Sequence, residues 1–375
     1  MSYTKLSATQ IFDGYKFLGS NAVLIIKQTS HGKVVEEITT IDNAGDNVIH
    51  IDGIVSPGFI NAHCHLELSY MHKKIPQQTG MVDFILAVLK GRSTPLEEIQ
   101  QAITNAELAM VQCGIVAVGD ICNTANTIVQ KTKSNINYTN FIELSGFVPA
   151  VAQQKYNEGL QLVHTFVQHN LTATIVPHAP YSVSNNLFHL INAQHSAVST
   201  IHYNESQAER EFVEHKSGDM LRLYNTLGIS VANCIANDSK PTNLTPYINP
   251  NAQSQLLVHN VITNEKEIAD LKLKMKNIAY VLCPNANLYI GNGLPNVSIL
   301  HQLGVTICLG TDSLASNTQL NISAEIKTLR KHFPNIPLAT MLQWATSNGA
   351  KALQINDQFG SFEKGKSGKY AVFQH

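Results

Sequence analysis

From Ile54 onward the chain repeats one pattern: a strand-length apolar run, a helix-length amphipathic stretch, and another apolar run. That is the rhythm of βαβ units, in which the connecting helices cover a parallel sheet. Eight such runs lie at residues 59–63, 115–118, 140–144, 173–176, 199–202, 256–259, 279–282 and 305–309. Eight strand–helix units in a stretch of about this length suit a closed (β/α)8 barrel, a TIM barrel of the α/β class, better than an open doubly wound sheet. No G-x-G-x-x-G turn follows the first strand, so the fingerprint of a dinucleotide site is absent. The clearest helix is expected from Thr94-Pro95, with Glu97 and Glu98 in its first turn, to Gly114. Others are expected at 153–169, 185–194, 208–227, 265–274, 323–331, 338–345 and 348–353.

Residues 1–57 read differently. Short β-type runs at 22–27, 33–39 and 48–52 are broken by Asp13-Gly14, Ala44-Gly45 and Asp52-Gly53, the pattern of a small antiparallel sheet. The glycine-punctuated end of the chain offers one more strand at 369–373 and no core of its own. The expected organisation is therefore a barrel over 58–353 and a small β-sandwich domain built from both termini, 1–57 with 354–375.

Composition narrows the partners. With 44% hydrophobic and 14% charged residues and a net charge of −1, the chain has neither the signature of disorder nor an electrostatic footprint for nucleic acid or anionic membrane. No apolar stretch approaches the ~20 residues that span a bilayer, and the opening MSYTKLSATQIFDGY lacks a secretory pattern. The six cysteines form no C-x-x-C pair. These features lead us to expect a reduced, cytoplasmic protein whose partner is a small molecule, with no nucleic acid and no membrane.

Polar residues gather where the eight apolar runs end, and in barrels of this kind the chemistry sits at the C-terminal ends of the strands. His63 and His65 follow the first run, Glu143 ends the third, His178 and Tyr181 follow the fourth, and His202 and Glu205 the fifth. His259 ends the sixth, and Asp312 and Ser313 follow the eighth. Five of the sixteen histidines fall in such positions. Residues two apart in a strand share a face, so His63 and His65 either share one cation or form a hydrogen-bonded structural pair. With His202 and Asp312 added, three neutral nitrogens and one carboxylate suit Zn2+ or Fe2+ and leave a position for water. Water bound there would have its pKa lowered to about 7. Glu205 is placed as general acid and base, unless it only opens the helix that follows. His259 is placed to orient the water or polarise the electrophile, unless it is a core histidine bonded to backbone.

These segments resemble the amidohydrolase superfamily, in its branch of cytosine-deaminase-like and ATZ/TRZ metal-dependent hydrolases. VSPGFINAHCHLELS is similar to that family's first-strand motif, VPHAPYSVS to its fourth, and IHYNESQAERE to its fifth. VHNVI, LCPNANLYIGNG and GTDSLASN resemble its sixth to eighth, and NGAKAL and GSFEKGKSGKYAVF its last helix and return strand. The resemblance implies that His63, His65, His202 and Asp312 hold one divalent metal, that Glu205 shuttles protons, and that His178 and His259 face substrate and water. Many members carry a metal-bridging lysine on the fourth strand. Val176-Pro177-His178 offers none, which implies a mononuclear site. Lys369-Tyr370-Ala371 departs from the Ala-Asp-Leu usual in the last strand. Homodimers are common in the family.

HLELS, PQQTGMVDFI and the downstream Arg92 are similar to aminofutalosine deaminases and their relatives. On that resemblance Glu67 binds a ribose hydroxyl or ring nitrogen and Arg92 meets a carboxylate; otherwise Glu67 is structural and Arg92 solvated. Glu143, Tyr181, Ser184, Ser313 and Asn317 are further pocket residues. The implied reaction is hydrolytic deamination at C6 of an adenine nucleoside such as aminofutalosine. The alternatives are deamination of S-adenosylhomocysteine or methylthioadenosine, triazine dechlorination, and a silent ligand-binding barrel.

Overall fold

The computed structural model describes residues 2–30, 32–230 and 247–374, with Arg92 as backbone only. Cys234 lies outside the described residues. The N-terminal strands are β1 (Tyr3–Ile11), β2 (Ala22–Thr29), β3 (Gly32–Thr40) and β4 (Val48–Pro57). Eight parallel strands follow: β5 (Phe59–Cys64), β6 (Ile115–Cys122), β7 (Asn137–Leu144), β8 (Ala173–Pro177), β9 (Ser196–Tyr203), β10 (Ala252–His259), β11 (Ile278–Leu282) and β12 (Thr306–Leu309). Each of the eight expected runs becomes one of these strands. β13 (Tyr370–Phe373) returns at the end of the chain.

The eight strands pair as β5-β6-β7-β8 and β9-β10-β11-β12. Both seams between these sheets close at the ends where the polar residues gather. His202 N donates to His178 O at 2.9 Å, and Thr311 N and Asp312 N donate to His63 O at 3.0 and 3.1 Å. Ile60, Phe141, Val176, Leu256, Val281 and Cys308, from six of the strands, meet in one buried cluster with Ala350 and Leu353. A cluster fed from strands all round a barrel lies inside it.

The helices are α1 (Ile41–Ala44), α2 (Met81–Lys90), α3 (Leu96–Gln112), α4 (Ile128–Lys131), α5 (Ala152–Gln168), α6 (Asn185–Asn192) and α7 (Gln207–His215). They continue as α8 (Met220–Thr226), α9 (Glu265–Lys274), α10 (Pro284–Ile290), α11 (Val297–Gln302), α12 (Ile322–His332), α13 (Leu338–Gln343) and α14 (Gly349–Ala352). Ile103, Phe166, Leu271 and Leu329 pack the helix layer onto Phe59, Ile142, Leu257 and Leu309 of the strands. None of the described helices is long and apolar enough to cross a membrane.

Among the helices, details differ from expectation, and the short α1, α4, α10 and α11 were not expected. Pro95 takes the cap position of α3, and the Thr94 hydroxyl instead donates to Gly91 O. The helix expected over 208–227 breaks into α7 and α8 where Lys216 and Gly218 adopt positive φ. Helix α2 was not foreseen: the only charges in MVDFILAVLK, Asp83 and Lys90, are seven apart on one face, so its helical period rests on two residues in an otherwise apolar run.

The terminal strands form a single five-stranded sheet, β13-β4-β1-β2-β3, in which β1 and β4 run parallel and the other pairs antiparallel. β1 was overlooked because its alternation uses Ala8 and polar residues in place of a branched apolar run. Where the sandwich reading expects a facing sheet, Phe362 joins Leu6, Leu24, Ile26, Val35 and Val55 on one face, and Ala44 of α1 packs on Val23 and Ile25.

Candidate active site

Ile60 and Ala62 of β5 bury in the barrel cluster, and the pairing of β5 with β6 shifts register between Asn61 and Cys64, where His63 and then His65 turn to the site. Their Nε2 atoms approach to 3.2 Å. Asp312, just past β12, brings Oδ1 to 3.7 Å from His63 Nε2 and 3.4 Å from His65 Nε2. The His202 ring, from β9, stands 4.8 and 5.3 Å from those of His63 and His65, centre to centre. All four side chains are buried. Burial holds the imidazoles of His63, His65 and His202 down at about 4, against Asp312 beside the first two and Glu143 beside the third. Burial on its own would raise Asp312 and Glu143, but the surrounding imidazoles keep both below the ordinary carboxylate range.

Neutral imidazoles present lone pairs, and one proton between His63 and His65 would satisfy a single pair and leave Asp312 Oδ1 and His202 Nε2 unmatched. His202 Nε2 is buried with no hydrogen-bond partner among the described residues. One divalent cation among the three rings and the carboxylate satisfies all of them, so the donor set fits a metal. His63, His65 and His202 also offer ring nitrogens within 4.8 Å of one another.

A second layer sets the first. Ser316 Oγ donates to Asp312 Oδ2 at 2.6 Å, which leaves Oδ1 to face the histidines. Glu143 Oε1 lies 3.3 Å from His202 Nε2, and Glu143 Oε2 accepts from Asn123 Nδ2. His178 Nδ1 pairs with Ser182 Oγ at 2.6 Å. Glu205 sits 3.7 Å from His259 Nε2 and 3.9 Å from His202 Nδ1, with Asn292 Nδ2 at 3.5 Å. Its backbone N–H donates to Glu209 Oε2 at 2.7 Å. Burial and the charges of Asp312 and Glu143 push the Glu205 carboxyl well above the ordinary carboxylate range.

These groups border a cavity of about 420 Å³ whose wall includes His65, His178, His202, Glu205 and Asp312, with Glu143, Tyr181 and Ser313. Beyond them the wall turns apolar, with Met81, Phe84, Ile85 and Val88 of α2 facing Phe147 and Leu223.

Other residues singled out in the sequence lie off this wall. Glu67 Oε2 is occupied by Asn123 N, Thr124 N and Thr124 Oγ1, so the carboxylate pins the loop after β6. A helical turn directly after His65 points it away from the cavity. Asn317 Nδ2 donates to Thr311 O and Glu325 Oε1. Ser184 caps α6. His259 is wholly buried behind His202, its Nε2 3.0 Å from His202 Nδ1. The Arg92 side chain is outside the described residues. Ser316, Asn292 and Glu209 were missed, since a serine, an asparagine and an acid in a helix's first turn carry no periodic signal; Asn287, within LCPNANLYIGNG, was given no role.

The Amidohydrolase family model matches residues 54–374. An adenosine deaminase of Helicobacter pylori is 28% identical over 86% of this chain and 79% of its own length. An aminodeoxyfutalosine deaminase of a Nitratiruptor species is 26% identical over 92% of this chain and 85% of its own. Among solved structures, the Helicobacter pylori aminofutalosine deaminase in complex with methylthio-coformycin superposes with a TM-score of 0.83 at 23% identity, covering 99% of this chain and 92% of that one.

Proposed function

The chain belongs to the amidohydrolase family, a metal-dependent family, and from that membership we propose that it is a hydrolytic deaminase acting at C6 of an adenine-containing nucleoside. Aminofutalosine heads the substrates we assign to it. The observation that carries this reading is the convergence of His65, His202, Asp312 and Glu205 on the wall of a nucleoside-sized cavity, with the His63 ring directly beside that of His65. The deaminase names of the two relatives support it.

His63, His65, His202 and Asp312 would hold one divalent cation, Zn2+ by the donor set and Fe2+ as the alternative. A cation there supplies hydroxide at neutral pH by lowering the pKa of a water. Glu205 takes up the water proton, and the burial that raises its pKa lets it keep that proton until N1 of the ring accepts it. Oxygen adds at C6, Glu205 then takes the proton of the new C6 hydroxyl and passes it to the amine as the C6–N bond breaks, and ammonia leaves behind a C6 carbonyl. His178, with Nδ1 held by Ser182, turns Nε2 to the ring. Tyr181, Glu143 and Ser313 border the substrate, and the apolar α2 wall takes the group beyond the ribose. The same reading makes it a cytoplasmic enzyme, consistent with free thiols at all five described cysteines.

The test is ammonia release across aminofutalosine, adenosine, methylthioadenosine, S-adenosylhomocysteine, guanine and cytosine, with chloride release from a chlorotriazine beside it. We expect ammonia from an adenine nucleoside and no chloride. Glu205→Gln should lower kcat by at least about 100-fold while metal stays bound. Ammonia from none of the panel, or full activity in Glu205→Gln, overturns the reading.

A further inference from the structure

Asn287 in α10 is wholly buried and borders no part of the cavity. Its Oδ1 lies 2.8 Å from His259 Nδ1, and His259 Nε2 lies 3.0 Å from His202 Nδ1. The His259 and His202 rings stack 20° from parallel. His259 itself takes φ 77°, a left-handed conformation that a bulky residue adopts only when its surroundings enforce it. Three side chains thus make a two-bond line running from α10 to the inner face of the candidate metal site.

Two proton arrangements satisfy that line. In one, His259 Nδ1–H donates to the Asn287 oxygen and His202 Nδ1–H donates to His259 Nε2, which leaves a lone pair on His202 Nε2. In the other, the amide is reversed and donates to His259 Nδ1, His259 Nε2–H donates to His202 Nδ1, and His202 carries its proton on Nε2. The second arrangement must end in a bond from His202 Nε2 to Glu143 Oε1. Those atoms are 3.3 Å apart, yet their geometry makes no hydrogen bond, and His202 Nε2 finds no other partner among the described residues. The first arrangement makes both bonds of the line, leaves Asn287 Nδ2 as a buried donor without a partner among the described residues, and alone leaves His202 Nε2 the lone pair that a metal ligand needs.

We propose that Asn287 is a positioning residue: its amide oxygen fixes the tautomer of His259, and His259 fixes that of His202, so that the Nε2 lone pair of His202 is presented to the cation. This rests on the reading of His202 as a metal ligand, and it moves His259 from the water to the support of a ligand. Outer partners of this kind orient ligating histidines and tune their basicity.

The test uses metal-free, 15N-histidine-labelled full-length protein, in which long-range 15N–1H spectra report the tautomer of each imidazole. The wild type should carry protons on Nδ1 of both His259 and His202. Asn287→Asp offers only acceptors, so it should leave the His259 Nδ1 proton in place; a wild-type amide that donated would instead show inversion in this variant. Asn287→Leu, similar in shape and without an acceptor, should shift His259 toward Nε2–H and weaken zinc binding by about 10- to 100-fold in chelator competition. A thermal melt separates lost folding from lost orientation. Nε2–H on His259 in the wild type, or wild-type tautomers in Asn287→Leu, overturns the relay. Correct tautomers in a wild-type chain that binds no zinc overturn the metal reading and, with it, the purpose of the relay.

Discussion

Lys131 is a fully buried ammonium whose work is done one residue from the candidate metal site. Its Nζ donates to Asp120 Oδ2, to Asn140 Oδ1 at 2.7 Å and to Cys122 Sγ at 3.2 Å. Asp120 Oδ1 in turn accepts the N–H of Leu66, the residue after His65, at 2.8 Å. Burial works against the ammonium, and Asp120 and Cys122 together more than offset it, so the charge persists. Lys131→Met would strand that carboxylate in the core and should cost about 3–5 kcal/mol in urea denaturation. Asp120→Asn with Lys131→Met should recover most of the loss; a single-variant cost near zero would show the pair to be dispensable. Nothing in KTKSN distinguishes Lys131 from its solvated neighbour Lys133. His63, His65, His202, Glu205 and Asp312 were legible because a polar side chain closing an apolar strand is conspicuous and barrel geometry says where it points. Lys131, Asn287 and Ser316 were not, because their partners come from other elements. The two readings of Glu67 stayed open in the sequence because a helical turn, not the strand period, sets its direction.

At the scale of elements, the site depends on how strands end. Asn204, His259, Asn260 and Asp312 all take left-handed φ without being glycine, each just where a barrel strand stops. Conformations of this kind cost of order 1–3 kcal/mol each and persist where bonds enforce them. Asn204 Nδ2 donates to Thr263 Oγ1, Asn260 Nδ2 to Leu257 O, and Asp312 accepts from Ser316. Strands and most helices could be read from period and punctuation, whereas these terminal turns could not, since they depend on side chains meeting across units. Helix α12 supplies one such tie: Glu325 accepts from Asn285 N and Asn317 Nδ2, both at 2.9 Å, joining α10 to the loop after β12. Burial pushes its carboxyl from 4.5 up to about 8 against those two donors. Between these values the folded chain keeps a proton that the unfolded chain has released. The contribution of Glu325 is therefore greatest at low pH and declines as pH rises toward about 8. Glu325→Gln cannot titrate, so the stability of the wild type relative to this variant should fall steadily from about pH 5 to about pH 8 in urea melts. A difference that stays flat over that range would refute the assignment.

In the whole molecule, the terminal sheet and the barrel share one core. Phe12 and Ile54 of the N-terminal region and Ala371 and Phe373 of β13 bury in the same cluster as Phe59, Ile115 and the helix layer. Gly58 N donates to Lys369 O, and a Cβ on Gly114, at φ 80°, would meet Ala371 Cβ at 2.6 Å, so the last strand lies directly on the start of the barrel. A unit joined this way cannot lose the barrel and keep the sheet. The candidate metal site also bridges the seam between β5 and β12, where Asp312 N reaches His63 O, so a cation there ties the first barrel strand to the last. A ligand bound only by the folded state stabilises by RT ln(1 + [L]/Kd), about 2.7 kcal/mol at a concentration 100 times Kd. Removing zinc with a chelator should therefore lower the melting temperature by a few degrees. In scanning calorimetry both forms should melt in a single transition, because the shared core carries the loss at the seam to β13 and the terminal sheet. An unshifted transition would argue against a cation at the seam, and a second transition at the original temperature would show that the terminal sheet folds independently of the barrel.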